Sequence, residues 1–313
     1  LSSNRRAWDN PGYQTFYEAL TSATEAMKAE KSSGMLRGIE TSGDLCEIFD
    51  SHNLVIIGDL HGDYSTLDQI FREVDTDSYF DDPLNKMIFL GDYVDRGINS
   101  IGILNSVCQL KLAHPYSIVL MRGNHEAPAE FPFGGHDFPN QLVSQFGESA
   151  GATLYQKSLA FFRELVLTTI VTDALLIVHG GLPTDGESPR DHRKMLSLAQ
   201  KQQLKNRVFE EILWNDPRDL GPNSSWEDSW RGLGRHFGEV VTVNWLAATG
   251  TRCVIRAHEP CKGFRIDHAG KVMTIFSSRA PYPSFQAAYL SLKSSDLQNL
   301  RDARNLVRFV KYL

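Results

Sequence analysis

The stretch "MIFLGDYVDRG" (87–97) sets an apolar run directly before two aspartates and an arginine. Met87 to Leu90 read as a buried strand, so Asp92, Asp95 and Arg96 stand at its carboxyl end, where charge is costly unless something compensates it. The pattern recurs. Apolar runs "LVII" (54–57), "SIVLM" (117–121), "ALLIV" (174–178) and "RCVIRA" (252–257) are each followed at once by polar residues of metal-ligating type. Between most of them lie stretches of helical periodicity, at 65–74, 99–113, 151–168, 192–212 and 238–249. Strands alternating with helices predict a layered α/β fold with helices covering the sheet.

Residues 13–30 have apolar positions at helical spacing and are expected to form a helix outside the core sheet, closed by "KSSG" (31–34). "GFRIDHAGKVMTIF" reads as a hairpin turning at "DHAG", and "SFQAAYLSL" as a further strand, so the sheet is expected to be mixed. The tail suits a helix early and a strand late. The expected organisation is an N-terminal helical extension over 1–40, a catalytic domain over 41–295, and a C-terminal segment over 296–313 packed on it.

Composition narrows the function. The chain has 313 residues, 42% of them hydrophobic and 22% charged, with Lys+Arg 32 against Asp+Glu 38 and a net charge of −6. No basic block is present to bind nucleic acid, and no apolar run approaches the ~18 residues of a membrane span, so neither partner is expected. Cys46, Cys108, Cys253 and Cys261 form no CxxC pair, which fits reduced thiols. "LSSNRRAWDNPGYQTF" has no apolar segment of the secretory type, and a chain beginning at Leu1 is expected to lack its true start. A cytoplasmic location is the expectation.

In open α/β sheets, ligands bind outside the carboxyl ends of the strands. Asp59 and His61 follow the first run; Asp92, Asp95 and Arg96 the second; Asn124 and His125 the third; His179 and His258 the fourth and fifth. Carboxylate, imidazole and amide donors without thiolate suit a hard or borderline divalent ion such as Mn, Fe or Zn. Asp59, His61, Asp92, Asn124, His179 and His258 are too many for one ion with open positions. Two metals bridged by a carboxylate are implied, a device that activates water for in-line displacement at phosphorus.

"GDLHGD", "GDYVDRG" and "RGNHE" resemble the GDxHG, GDxVDRG and GNHE motifs of the phosphoprotein phosphatase family of metal-dependent serine/threonine phosphatases. "VHGGLP" (178–183), "LWNDP" (213–217), "RGLGRHFG" (231–238) and "RAHEP" (256–260) resemble its later motifs, in the family's order, so the likeness covers roughly residues 40 to 290. The resemblance implies the calcineurin-like fold, a mixed β-sheet sandwich flanked by helices. It implies Asp59 and His61 on one metal, Asp92 as the bridge, and Asn124, His179 and His258 on the other. It makes His125 the proton donor to the leaving alkoxide, Asp95 the carboxylate that orients it, and Arg96 and Arg231 the grip on the phosphoryl oxygens. Asn124 also falls to substrate binding. Arginine's planar fork suits phosphoryl oxygens, and an imidazolium beside a carboxylate suits proton donation. No serine or cysteine sits in a nucleophile motif, which agrees with direct attack by water.

Two segments depart from the family. After "RGNHE" comes "APAEFPFGGHDFPNQLVSQFGE", rich in Pro, Gly and Phe, and "FSSRAPY" (276–282) stands where the family has "FSAPNYC". Tyr282 is expected to reach the phosphate, and Arg279 to add a cation that supplements Arg96 and Arg231 or selects a more anionic substrate. His136 and His236 are read first as solvated or packing loop residues, and Trp226 and Trp230 as a cleft rim or loop anchors. Glu126 and Glu259 follow ligand histidines and are placed as acceptors for histidine N–H groups.

The expected function is metal-dependent hydrolysis of phosphoserine and phosphothreonine in proteins, with a phosphoprotein as substrate and any regulatory subunit unidentified. A dinucleoside polyphosphate hydrolase or other small-molecule phosphatase is the enzymatic rival, and a phosphotyrosine preference a variant. The complete ligand set argues against a non-enzymatic scaffold.

Overall fold

The structure, a computed structural model, describes residues 8–184, 191–202, 207–221 and 224–313. In chain order the strands are β1 (Ile39–Ser42), β2 (Leu45–Ile48), β3 (Asn53–Ile57), β4 (Lys86–Phe89), β5 (Ile118–Leu120), β6 (Thr168–Val171), β7 (Leu175–Val178), β8 (Asp216–Pro217), β9 (Trp226–Asp228), β10 (Arg235–Phe237), β11 (Cys253–Arg256), β12 (Phe264–Asp267), β13 (Val272–Ile275), β14 (Ala288–Lys293) and β15 (Val310–Tyr312). The helices are α1 (Tyr13–Glu30), α2 (Tyr64–Val74), α3 (Thr76–Tyr79), α4 (Ser100–Ala113), α5 (Phe138–Phe146), α6 (Glu148–Phe162), α7 (His192–Ser197), α8 (Val208–Trp214) and α9 (Glu239–Thr249).

Two large mixed sheets stack between helical layers. One runs β1-β2-β6-β7-β11-β13-β12, the other β15-β14-β3-β4-β5, and a small third sheet runs β8-β10-β9. The stacking follows from strands that are apolar on both faces, because successive side chains point to opposite sides. In β4 and just beyond it, Met87 and Phe89 join a core shared with α1, α2 and α4, while Ile88 and Leu90 join the core between the sheets. In β7, Leu175 and Ile177 face that inter-sheet core, and Leu176 and Val178 pack with Phe209, Ile212 and Trp245 of α8 and α9. Each such side chain contributes about 1.5–3 kcal/mol relative to exposure. The four buried cysteines are free thiols within this packing.

The five core strands and the helices at 65–74, 99–113 and 238–249 form where expected, as do α1 and the antiparallel β12–β13 hairpin. Helix 151–168 differs: α6 spans 148–162, and Thr168–Val171 is instead the wholly buried β6, paired with β2 and β7. Its run of β-branched side chains is better packed on a sheet than on a helix. Of the expected helix 192–212, the ends form α7 and α8, and 203–206 lies outside the described residues. The tail makes two 3-10 segments, Ser294–Asn299 and Ala303–Phe309, before β15 pairs with β14. The short strands β1 and β2 carry no periodic signal of their own. No helix among the described residues is long and apolar enough to cross a membrane.

Candidate active site

β3, β4 and β5 run parallel in one sheet, β7 and β11 parallel in the other, and the residues that follow their carboxyl ends meet at one edge of the sandwich. The turns there are tight. His61, Asp92, Asp95, Arg96 and His258 have positive φ, from 44° to 69°. Asp and His enter this left-handed region more readily than most side chains, yet each such residue costs about 1–3 kcal/mol and persists only where its surroundings hold it. Gly123 allows a close approach to the hub of the site, since a Cβ there would lie 2.2 Å from Asp92 Oδ1.

Asp92 is the hub. Its Oδ2 lies 3.5 Å from His61 Nε2, and its Oδ1 lies 3.4 Å from His179 Nε2 and accepts the backbone N–H of His125 at 3.0 Å. His61 Nδ1 donates to the Val94 carbonyl at 3.0 Å, and His179 Nδ1 to the Leu90 carbonyl at 2.8 Å. A carbonyl can only accept, so in a neutral ring each Nε2 turns a lone pair toward the Asp92 carboxylate. Asn124 Oδ1 adds to this crowding at 3.1 Å from His179 Nε2, and it accepts from His258 Nδ1 at 2.8 Å, which leaves His258 Nε2 as that ring's acceptor. Lone pairs so arranged repel unless a proton or a cation lies among them.

Titration reflects that choice. Burial would lower His179, but Asp92 overrides it and lifts its pKa to about 9, whereas burial takes His61 down to about 4. Burial and the Asp92 charge push Asp59 up to about 7. Asp92 is held well below the usual carboxylate range because its imidazole neighbours, His179 first, outweigh burial.

Donor atoms of His61, Asp92 and His125 lie within 4.8 Å of one another, and so do those of Asp92, His179 and His258, giving two groups that could hold metal and share one carboxylate. Asp59 Oδ2 and His258 Nε2 are buried with no hydrogen-bond partner, while Asp59 Oδ1 accepts the His258 backbone N–H at 3.0 Å. Unsatisfied buried acceptors are costly, and a pair of divalent cations would satisfy these. The donor set therefore fits a dinuclear metal site.

Beside it lies a cleft of about 240 Å³, lined among others by Arg96, His125, Phe133, Trp214, Arg231 and Tyr282. His125 Nδ1 donates to Asp95 Oδ2 at 2.6 Å; burial opposes the charged ring, but Asp92 and Asp95 together raise its pKa above 6.5. Arg231 Nε sits 3.2 Å from Asp216, itself paired with the buried Arg256. Tyr282 packs 5.7 Å from the His61 ring. Arg279 is exposed and does not line the cleft; its backbone N–H and that of Ala280 are bound by Asp63 Oδ2, both at 2.8 Å.

Other expectations are revised. Backbone carbonyls, not Glu126 or Glu259, take the N–H groups of His61 and His179. Glu126 binds backbone amides around Asp92, and Glu259 pairs with Arg218, Arg256 and Arg265. Two readings hold: Trp226 and Trp230 are the loop anchors of the two alternatives, stacking on Arg235 and Arg218, and His236 is a packing residue, buried against Trp230. His136 is no solvated loop residue: its Nδ1 lies 2.9 Å from Asp95 Oδ2. The "HD" after the double glycine was its only signal, whereas Tyr155, which contacts it, is marked by none.

The calcineurin-like phosphoesterase family profile matches residues 52–262. Serine/threonine-protein phosphatase T of Schizosaccharomyces pombe is 34% identical over 227 residues, covering 72% of this chain and 45% of that protein. Serine/threonine-protein phosphatase PP1-1 of Saccharomyces cerevisiae is 33% identical over 227 residues, covering 72% of this chain and 68% of that protein. The chain thus spans less than half the length of the first of these relatives. In fold, a Saccharomyces cerevisiae protein serine/threonine phosphatase with similarity to human phosphatase PP5 superposes with a TM-score of 0.75 at 23% identity, over 97% of this chain and 90% of that one. Strand order, the shared carboxylate and these likenesses converge, and the chain belongs to the calcineurin-like phosphoesterases and, within them, to the phosphoprotein phosphatase family.

Proposed function

We propose that the protein hydrolyses phosphoserine and phosphothreonine in proteins, using two divalent cations, with Mn sufficient in vitro and Fe or Zn as other occupants. The observation that carries this reading is the single carboxylate, Asp92, common to His61 on one side and to His179 and His258 on the other, with His125 at the edge of the first group and turned onto Asp95 through Nδ1. Asp59, His61 and Asp92 would hold one cation, and Asp92, Asn124, His179 and His258 the other. Bound there, the cations would polarise the phosphoryl group and activate water at neutral pH.

The chain's own groups supply the rest. Arg96 and Arg231 grip the phosphoryl oxygens; with Nε of Arg231 on Asp216, its terminal amino groups remain for the phosphate. His125, whose Nδ1 is committed to Asp95, delivers a proton from Nε2 to the leaving oxygen. Tyr282 closes one wall, and Arg279 meets the more distant part of an anionic substrate.

A second reading, preference for aryl phosphates such as phosphotyrosine, is favoured by the aromatic walls Phe133, Trp214 and Tyr282. One experiment separates them: metal content plus turnover, with added Mn, on matched phosphoserine, phosphothreonine and phosphotyrosine peptides and a dinucleoside tetraphosphate. Exclusive nucleotide cleavage overturns both. Phosphoserine turnover that survives His125→Asn removes the proton-donor role, for which a loss of roughly 10²–10⁴-fold is expected.

A further inference from the structure

We propose that His136 is a positioning residue for the reaction, tying the cleft wall at residues 133–135 to the proton donor His125 through their shared partner Asp95. The inference rests on the phosphomonoesterase reading above.

Asp95 is fully buried and accepts from four donors. Its Oδ2 takes Nδ1 of His125 at 2.6 Å and Nδ1 of His136 at 2.9 Å; its Oδ1 takes the backbone N–H groups of Asp137 and Phe138, each at 2.9 Å. An ionised carboxylate only accepts, so both imidazoles carry a proton on the nitrogen facing it. In neutral His136 the other nitrogen, Nε2, is then an acceptor, and Tyr155 O–H is placed to donate to it at 3.0 Å. Tyr155 thereby fixes the tautomer and tilt of the ring, as outer partners do for catalytic histidines.

The same loop reaches the substrate side. Phe133 lies edge-on to the His125 ring, with centroids 4.4 Å apart, and is 5.7 Å from His136. Gly135, at φ +86°, comes so near Arg96 that a Cβ would sit 2.8 Å from Nη1. Loop 133–138 therefore touches the proton donor, its orienting carboxylate and a phosphate-gripping arginine together. Without the His136 bond, Asp95 would keep its charge but lose the contact that sets its Oδ2 toward His125, and Phe133 would be free to shift off the ring.

The test compares a substrate whose leaving group needs a proton with one whose leaving group does not. With Mn saturating and folding checked by thermal denaturation, kcat and KM are measured on a phosphoserine peptide and on 4-nitrophenyl phosphate for wild type, His136→Ala, His136→Asn and Tyr155→Phe. His136→Ala should lower kcat on the phosphopeptide roughly 10- to 100-fold, the scale of lost outer-shell support, and leave kcat on the aryl ester within about threefold. His136→Asn, whose amide N–H can reach the same oxygen, should recover most of the loss, and Tyr155→Phe should fall between. Equal losses on the two substrates, or an unchanged phosphopeptide kcat, overturn the proposal; if His136→Ala does not fold, His136→Asn and Tyr155→Phe decide by the same ratio. A wild type inactive on both esters overturns the phosphomonoesterase reading itself.

Discussion

Glu126 closes its carboxylate on the backbone of Asp92: Oε2 accepts the Asp92 N–H at 2.8 Å and the Gly123 N–H at 3.0 Å, and Oε1 accepts the Tyr93 N–H at 2.9 Å. One buried side chain thus staples the turn after β4 to the turn after β5. Burial and the neighbouring Asp92 charge raise its pKa to about 7, so these amides hold a carboxyl that would otherwise be costly to bury.

Glu126→Ala should orphan those amides at about 1–3 kcal/mol each, lowering stability by about 3 kcal/mol or more. Glu126→Gln should recover only part of this, because its NH2 faces donors. Urea unfolding of the three proteins without metal checks it; equal midpoints for wild type and Glu126→Ala would dismiss the staple.

Asp92→Asn should abolish dinuclear metal binding, whereas Asp95→Asn should keep the metal and slow turnover. Elemental analysis after gel filtration, with the rise in Tm on adding Mn as a second readout, separates them. Wild type and Asp95→Asn should both show the rise and Asp92→Asn should not; full metal retention by Asp92→Asn would remove the shared-carboxylate assignment.

Asp63 caps α2 by accepting the Thr66 N–H at 3.1 Å and also holds the backbone at Arg279 and Ala280. Asp63→Ala should cost about 0.5–2 kcal/mol for the lost cap. It should also raise KM for phosphopeptides through the loosened Tyr282 loop, with kcat less affected. Steady-state kinetics decide: an unchanged KM means that loop does not contact substrate.

Lys86 Nζ is buried and donates to the carbonyls of Arg37 and Pro83. Burial lowers its pKa to about 8, against the Asp50 and Asp82 charges that act to raise it. The unfolded chain, with lysine near 10.4, binds the proton more tightly, so unfolding takes up a proton between about pH 8 and 10.4. Stability from this group therefore rises with pH across that window and is level below it. The urea-midpoint difference between wild type and Lys86→Met should move in favour of wild type from pH 7.5 to pH 9.5; a flat difference would mean Lys86 titrates normally in the fold.

Much of this was legible in the sequence because parallel strands buried on both faces leave uninterrupted apolar runs, and ligands placed straight after them need only local reading. Asp59, Asp92, Asn124, His179 and His258 are brought together on that ground alone. β6 was not legible, since "TTIV" follows a helix without a break signal, the three-residue turn that joins it to β7 contains no glycine, and its other partner β2 is distant in sequence. Nor was the link from Tyr155 through His136 to Asp95, which depends on how α6 packs beside the loop and not on any spacing along the chain. Sequence order shows that Glu126 follows His125 but not which way a 3-10 turn aims it, so its backbone partners around Asp92 carry no signal along the chain.

Strands apolar on both faces have a weakness: sliding one by a residue exchanges its two faces without placing anything polar in oil, so hydrophobic patterning alone does not forbid the slip. In β4 the guard stands at the ends. Lys86 and the Asp92 carboxylate, which accepts the His125 N–H and faces His61 and His179, bracket the run, and a slip in either direction would drag one of them from its partners. The costly charges of this site are thus also the stops that keep the sandwich in register. A substitution that removes Asp92 takes away a spacer of the architecture along with a metal ligand.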